Sequence, residues 1–223
     1  FFGVLFAGAV PCALYPPVRL GRLQEWKKST ASMLRRLPAA AVLTDGRLLG
    51  LVGHPTAAAG VPLLALRVND LLGTKALQLD PIPQSDDLAC VQFSSGSTGE
   101  PKPVALSHYN MIANAQAIMN TFPGDPRAHS GVSWLPLYHD MGLVGALVVA
   151  LITPATLTLL PPERFIARPR LWLEALSESG ATVSVAPNFA YGLCADRVEN
   201  LEGLDLSRWK VALCGAEPVH PTT

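Results

Sequence analysis

The chain has 223 residues, with 17 lysines and arginines balanced by 17 aspartates and glutamates, and 49% of its residues are hydrophobic. A neutral surface gives no electrostatic reason to expect nucleic acid or an anionic membrane as a partner, and the apolar share excludes a disordered chain. The length suffices for one large core or for two lobes. The opening stretch FFGVLFAGAVPCALYPP has no initiating Met and no basic leader, and carries Pro11, Pro16 and Pro17. It is too short and too interrupted to cross a bilayer, so we expect a buried helix feeding a strand, and a chain that starts inside a helix is expected to be a fragment. Leu23, Trp26, Thr30, Leu34 and Leu37 then recur at helical spacing. AAAVLTDG reads as a short strand closing in an Asp-Gly turn. Between Leu51 and Asp87 apolar runs alternate with glycine and proline, and the boundaries stay open. LACVQF is a strand leading to Ser94, and VALSH a second. Ser107 is a candidate N-cap for a helix with Met111, Ile112, Ala115, Ile118 and Met119 on one face. FPGDPRAHSG breaks that helix, and GVSWLPL reads as the next strand. LVGALVVALITPATLTLL, interrupted by Pro154 and three threonines, reads as core. RPRLWLEALSESG has Pro169 near its start and Gly180 at its end, as a helix should. ATVSVAP and WKVALCGAEP close the chain as strands.

Strands alternating with helices predict an α/β architecture with a mainly parallel sheet, and ligands collect outside the carboxyl ends of such strands. Three strand ends carry unusual chemistry: the loop after Phe93, LYHDMG after Leu135, and GAEP after Leu213. Cys12, Cys90, Cys194 and Cys214 form neither a CxxC pair nor a metal-like spacing with histidine. They read as buried or free thiols in a reducing compartment, so a cytoplasmic location is expected and no protein metal ligand is assigned.

The loop FSSGSTGEPKPVALSH is the densest of these features. Gly96 and Gly99 permit backbone conformations that gather N–H groups into an anion-binding nest. Ser94, Ser95, Ser97 and Thr98 add hydroxyl donors, and Lys102 adds a mobile positive charge. Together they suit a polyphosphate; a flexible polar surface turn is the alternative. The GK[ST] ending of a Walker A loop is absent. Pro101 and Pro103, on either side of Lys102, have no N–H to donate and stiffen the exit of the loop. His139 and Asp140 follow a strand end as either a structural or a site pair, and no GxSxG elbow accompanies them, so a hydrolase triad is unsupported. Met141, Gly142 and Gly145 leave room for a ligand or serve tight packing. Asn188, Phe189, Ala190 and Tyr191 read as core or as the wall of a site. Gly215, Ala216, Glu217 and Pro218 follow a strand end, with Glu217 a structural carboxylate or a polar contact. Trp26, Trp134, Trp172 and Trp209 read as packing residues.

These residues resemble a known group. FSSGSTGEPKPVALSH is similar to the phosphate-binding signature of adenylate-forming enzymes, which include acyl-CoA synthetases, luciferases and nonribosomal adenylation domains. SWLPLYHDMGLVGAL, APNFAY and LDLSRWKVALCGAEPV resemble the fatty acyl-AMP ligases, and the motifs run in order over essentially the whole chain. The resemblance implies the N-terminal domain of that fold, built as two stacked, mainly parallel α/β subdomains and truncated. Residues 1–125 would carry the phosphate loop, and 126–223 the acyl and adenine side. It implies ATP and Mg2+, a fatty acid substrate, and transfer of the activated acyl group to the phosphopantetheine of a carrier protein. An acyl-CoA ligase and a catalytically silent acyl- or nucleotide-binding module are the alternatives. Lys102 and His139 are the implied catalytic residues. Ser94, Ser95, Gly96, Ser97, Thr98, Gly99 and Lys102 would hold phosphate, and Gly215, Ala216, Glu217 and Pro218 the adenine. His139, Asp140, Met141, Gly142, Asn188, Phe189, Ala190 and Tyr191 would face the acid. The chain departs from the pattern at Pro103, where the family usually has glycine. It also ends before the family's magnesium-holding acidic residue, its ribose-binding aspartate, the insertion particular to acyl-AMP ligases and the C-terminal domain with the catalytic lysine. A remainder of the same protein is therefore the expected partner, and the fragment is not expected to turn over alone.

Overall fold

The computed structural model describes residues 1–17, 20–60, 64–67, 82–94 and 101–220, with backbone alone at 20 and 64–67. The chain forms two compact units, Phe1–Ser107 and His108–Thr223.

The first unit opens with α1 (Phe2–Phe6), none of whose residues is buried. The helix expected here does form, but at five residues it is too short to present an apolar stripe to a core. Gly8, at φ +72°, turns the chain away, and Cys12 makes one parallel bridge to Val91. In α2 (Leu23–Arg35) the spacing read from sequence holds: Trp26, Thr30, Ala31, Met33 and Leu34 are buried. Trp26 Nε1 donates to the carbonyl of Tyr15 at 2.9 Å. Strand β1 (Ala41–Thr44) runs parallel to β2 (Leu64–Arg67), joined through α3 (Leu49–Ala58). Strand β3 (Leu88–Ser94) pairs antiparallel with β4 (Lys102–Ser107).

The second unit begins with α4 (His108–Met119), directly after Ser107, with Met111, Ala115 and Met119 buried. Residues 108–125, grouped on sequence grounds with the first subdomain, pack here within this second unit. Strand β5 (Gly131–Ser133) leads to α5 (Asp140–Gly142), whose helical path continues through a π-helical stretch, Leu143–Val148, into α6 (Val149–Ile152). The apolar run that follows Gly142 thus divides into helix and β6 (Leu157–Leu159). After α7 (Pro162–Ala167) and α8 (Arg170–Ser179) come β7 (Val183–Ala186), α9 (Asn188–Arg197) and β8 (Val211–Cys214). Gly180 ends α8 in the left-handed conformation at φ +59°, where a side chain would be strained.

The four strands form one parallel sheet in the order β6-β5-β7-β8. Trp134, Phe165, Trp172 and Leu176 centre the core packed on it. Phe165 stacks on Trp134 at a ring distance of 4.0 Å. Trp172, fully buried, donates from Nε1 to Ser184 Oγ at 2.9 Å, and Ser184 donates to the Val132 carbonyl at 2.6 Å. This pins α8 to two neighbouring strands. Strand β5 has β6 on one side and β7 on the other, so the connections leaving β5 and β7 diverge, and the crevice between them is the topological switch point of the sheet. Among the described residues no helix is long and apolar enough to cross a membrane.

Candidate functional site

In the first unit, the β3–β4 ladder places Ser94 opposite Lys102 and so draws together the two ends of the polar loop. Ser94 Oγ lies 3.5 Å from the Lys102 carbonyl, and Arg36 donates to the carbonyl of Pro101 at 3.2 Å. Lys102 is exposed. Pro103 sits opposite Phe93 in a two-stranded ladder, an edge position where a residue without an N–H is tolerated. Ser95, Gly96, Ser97, Thr98 and Gly99 lie outside the described residues.

In the second unit, the strands are parallel, so the segments following β5, β7 and β8 all leave from the same edge of the sheet. His139 and Asp140 stand at the corner between β5 and α5. His139 Nδ1 lies 2.6 Å from Asp140 Oδ1, with the two side chains 57% and 72% exposed. A carboxylate only accepts, so this contact puts a ring proton on Nδ1; Nε2 is then the ring atom for a ligand, an acceptor unless it too carries a proton. The Met141 N–H also donates to Asp140 Oδ1, at 2.7 Å. The corner is tight: a Cβ on Gly142 would stand 2.3 Å from the Pro136 carbonyl oxygen, so this glycine serves close packing. At Gly145 the nearest such contact is Met141 Cγ at 3.9 Å, which leaves space.

Helix α9 starts behind Pro187, which supplies no side-chain cap. Its first turn is satisfied from elsewhere: Glu217, after β8, accepts the Phe189 N–H at 2.7 Å. Gly215 donates to the Ala186 carbonyl at 3.2 Å. Ala216 adopts φ +68°, the one non-glycine residue with positive φ among those described, at a cost of about 1–2 kcal/mol. Glu217 and Pro218 are exposed. Asn188 and Phe189 are thereby brought beside Gly215 and Glu217. A Cβ on Gly215 would also meet Met141 Sδ at 4.0 Å, so the β5 corner and the β8 end are neighbours. Phe189 is 46% exposed and sets its edge against Trp134 at 6.0 Å. Ala190 is fully buried in the core. Tyr191 packs against that core and donates from its hydroxyl to the Leu213 carbonyl at 2.7 Å. Burial, then the neighbouring Cys214 and Cys194, push its phenol up to about 12.

A cavity of about 230 Å³ lies against the sheet. Of the sequence-derived candidates, Met141 and Gly145 line it; Asn188, Phe189, Ala190 and Tyr191 do not. Its other walls include Ile118, Met119, Phe122, Val149, Leu213 and His129. The helical spacing in α4 had marked Ile118 and Met119, but only as a packing face. Phe122 and His129 carried no signal, because they sit in a segment readable only as a helix break. Among the described residues no group of three His, Cys, Asp or Glu side chains converges as a metal cage.

The chain matches the family model described as AMP-binding enzyme over residues 1–223. It is similar to the medium-chain-fatty-acid–[acyl-carrier-protein] ligase TtuA of Teredinibacter turnerae, with 43% identity over 65% of this chain and 23% of that protein. It is 36% identical to the probable long-chain-fatty-acid–AMP ligase FadD30 of Mycobacterium tuberculosis, over 100% of this chain and 39% of that protein. A solved structure from a study of fatty acyl-adenylate ligases of E. coli and L. pneumophila superposes with a TM-score of 0.88 at 36% identity, covering 99% of this chain and 40% of that one. The chain therefore spans well under half the length of each relative.

Proposed function

The chain belongs to the AMP-binding enzyme family, and from that premise we propose that the whole protein is a fatty acyl-AMP ligase. Its fold is that of the N-terminal domain of adenylate-forming enzymes. In the proposed reaction a carboxylate oxygen of the fatty acid bonds to the α-phosphorus of ATP. The bond from that phosphorus to the bridging oxygen breaks, and pyrophosphate leaves.

One observation carries the reading. Three segments of unrelated sequence position, His139–Met141, Asn188–Phe189 and Gly215–Glu217, meet at one edge of the parallel sheet, and an apolar cavity opens beside Met141 and Leu213. In this reading the Gly215–Ala216 backbone, locked through Glu217 to α9, is a shelf for adenine. His139, when both ring nitrogens carry protons, donates from Nε2 to the charge developing between carboxylate and α-phosphate. Lys102 and the polar loop Ser94–Gly99 hold the departing phosphates, and the cavity takes the alkyl chain, with Met141 at its entrance. Magnesium, arriving with the triphosphate, would shield its charge; such ions take few protein ligands and keep several waters.

The proposed acceptor is the phosphopantetheine thiol of a carrier protein, supported by the names of TtuA, an acyl-carrier-protein ligase, and FadD30, an AMP ligase. A cytoplasmic setting goes with it, supported by four free cysteines. Residues 1–223 alone are proposed to turn over far more slowly than the whole protein, since they correspond to 40% of the matched fatty acyl-adenylate ligase. The test is ATP–pyrophosphate exchange by the natural full-length protein with a series of fatty acids, followed by competition between CoA and a cognate holo carrier domain. Acid-dependent exchange and carrier loading are expected. Rapid acyl-CoA formation without carrier loading would overturn the acceptor assignment. ATP binding with no exchange for any acid would leave a silent binding module.

A further inference from the structure

We propose that Arg36, which lies outside every motif carrying the family resemblance, is a positioning residue for nucleotide binding: its guanidinium holds the peptide that carries Lys102. The proposal rests on the reading of the protein as an ATP-dependent ligase and adds what fixes its phosphate-binding lysine.

The exit of the polar loop is poor in backbone donors. Of Pro101, Lys102 and Pro103, only Lys102 has an N–H. Among the described residues Ser94 and Lys102 form the outermost pair of the β3–β4 ladder, and the next pair sets Phe93 against Pro103. The Ser94 hydroxyl stands 3.5 Å from the Lys102 carbonyl, too far for a strong hydrogen bond. The Pro101 carbonyl, one residue before the strand, is taken instead by α2. Arg36 Nη1 donates to it at 3.2 Å, across sixty-five residues of sequence. A peptide unit is planar, so the Pro101 oxygen, the Lys102 nitrogen and the Lys102 Cα share one rigid plane. Gripping that oxygen therefore fixes the root of the Lys102 side chain. Lys102 itself stays exposed, and its ammonium is left to reach a ligand.

The grip is anchored on a packed element. Arg36 closes α2 with its own N–H bonded to the Met33 carbonyl at 3.1 Å, and Met33 and Leu34 are buried. A guanidinium does not lose its proton in proteins, so the donor is present at every working pH. Arg35, one position earlier, makes the same kind of contact with a different target. Its Nη1 donates at 2.9 Å to the carbonyl of Ala58, the last residue of α3. Both arginines are exposed. Two neighbours of equal charge, each with a backbone carbonyl to hold, thus serve two places, the α3 end and the loop exit. General attraction of a triphosphate would be shared by the two, whereas a positional effect belongs to Arg36 alone.

The test is ATP–pyrophosphate exchange by the natural full-length protein, with ATP and fatty acid varied in turn. KM values do not depend on the folded fraction of a preparation, so a variant of lowered stability still reads out. Arg36→Ala should raise KM for ATP about tenfold, equivalent to about 1.4 kcal/mol, as for one lost hydrogen bond from a charged donor. KM for the acid should stay within about twofold of the parent's. Arg36→Lys keeps a charged donor for a single oxygen and should recover most of the loss. Arg35→Ala, equal in charge lost, should leave KM for ATP at the parental value. In a Lys102→Ala background, Arg36→Ala should add less than about twofold, because the side chain it positions is gone. An unchanged KM for ATP in Arg36→Ala, no recovery in Arg36→Lys, an equal rise in Arg35→Ala, or the full rise repeated on top of Lys102→Ala overturns the positioning role alone. Absence of exchange by the parent with every acid overturns it together with the ligase reading.

Discussion

His139 and Gly142 stand three residues apart at one corner and do opposite kinds of work. The imidazole is held at Nδ1 by Asp140 but remains more than half exposed, so its neighbours orient it without covering it. If a protonated Nε2 donates to charge that develops during reaction, His139→Ala should lower adenylation turnover by about 10²-fold, the cost of one lost donor to such charge, and barely change ATP affinity. Pyrophosphate exchange and calorimetric ATP titration separate the two effects, and unchanged turnover would leave the residue a structural part of the corner. Gly142 has no exposed surface to offer. With a Cβ 2.3 Å from a backbone oxygen, Gly142→Ala must move the chain. We expect a loss of about 1–3 kcal/mol in urea unfolding. A variant as stable as the parent would mean that the corner opens freely.

Two elements owe their ends to distant partners. Helix α9 lacks a local cap and borrows the Glu217 carboxylate from the segment after β8. Glu217→Ala should cost about 1 kcal/mol of stability, in the range of a lost N-cap, and should raise KM for ATP more than KM for the acid. Glu217→Gln keeps an acceptor oxygen and should keep most of the stability. Thermal melts beside both KM values decide it, and an alanine variant with parental stability and ATP KM would detach Glu217 from both roles. At the start of α8, Arg168 and Arg170 both donate to Glu174, and Arg170 also holds the carbonyls of Asn200 and Glu202. Burial opposes charge on Glu174, but the two arginine hydrogen bonds outweigh it and hold the carboxyl below its ordinary 4.5. A depressed folded value means that the contribution is present in full above the unfolded value and is lost as pH falls through the folded one. Arg168 is 61% exposed, so the contribution is at most about 1 kcal/mol. Glu174→Gln should therefore be less stable than the parent at neutral pH, with the gap narrowing as pH falls below the ordinary carboxylate range, read by urea midpoints. A gap that persists in acid would assign the effect to packing.

At the scale of the molecule, the second unit holds its own sheet, its aromatic core and the cavity. Trp134, Phe165, Trp172 and Leu176 all contact partners inside His108–Thr223. Expressed alone, this unit should unfold cooperatively in urea and keep the near-ultraviolet dichroism of its packed tryptophans. A broad transition with that signal lost would show that it depends on Phe1–Ser107. The first unit makes a different contribution, since its β3–β4 ladder sets the two ends of the polar loop side by side.

What the sequence by itself determined was local. Contiguous spacing marked α2, α4 and α8, and Gly180 marked the end of α8. Run composition marked the strands, and three short stretches at strand ends, with the polar loop, carried the family resemblance. Such signals survive in sequence because a helix face, a cap or a glycine-rich loop is built from residues a few positions apart. Only the tertiary structure decided that Glu217 caps α9, twenty-eight residues earlier in the chain. It also decided that Gly142 is a packing residue, that Ala190 lies in the core and Tyr191 packs against it, and that Phe122 and His129 line the same cavity as Met141 and Leu213. His129 meets Thr182 across fifty-three residues of sequence. No local period records such a contact, because it exists only once the parallel strands have stacked side by side and given the two residues a common wall.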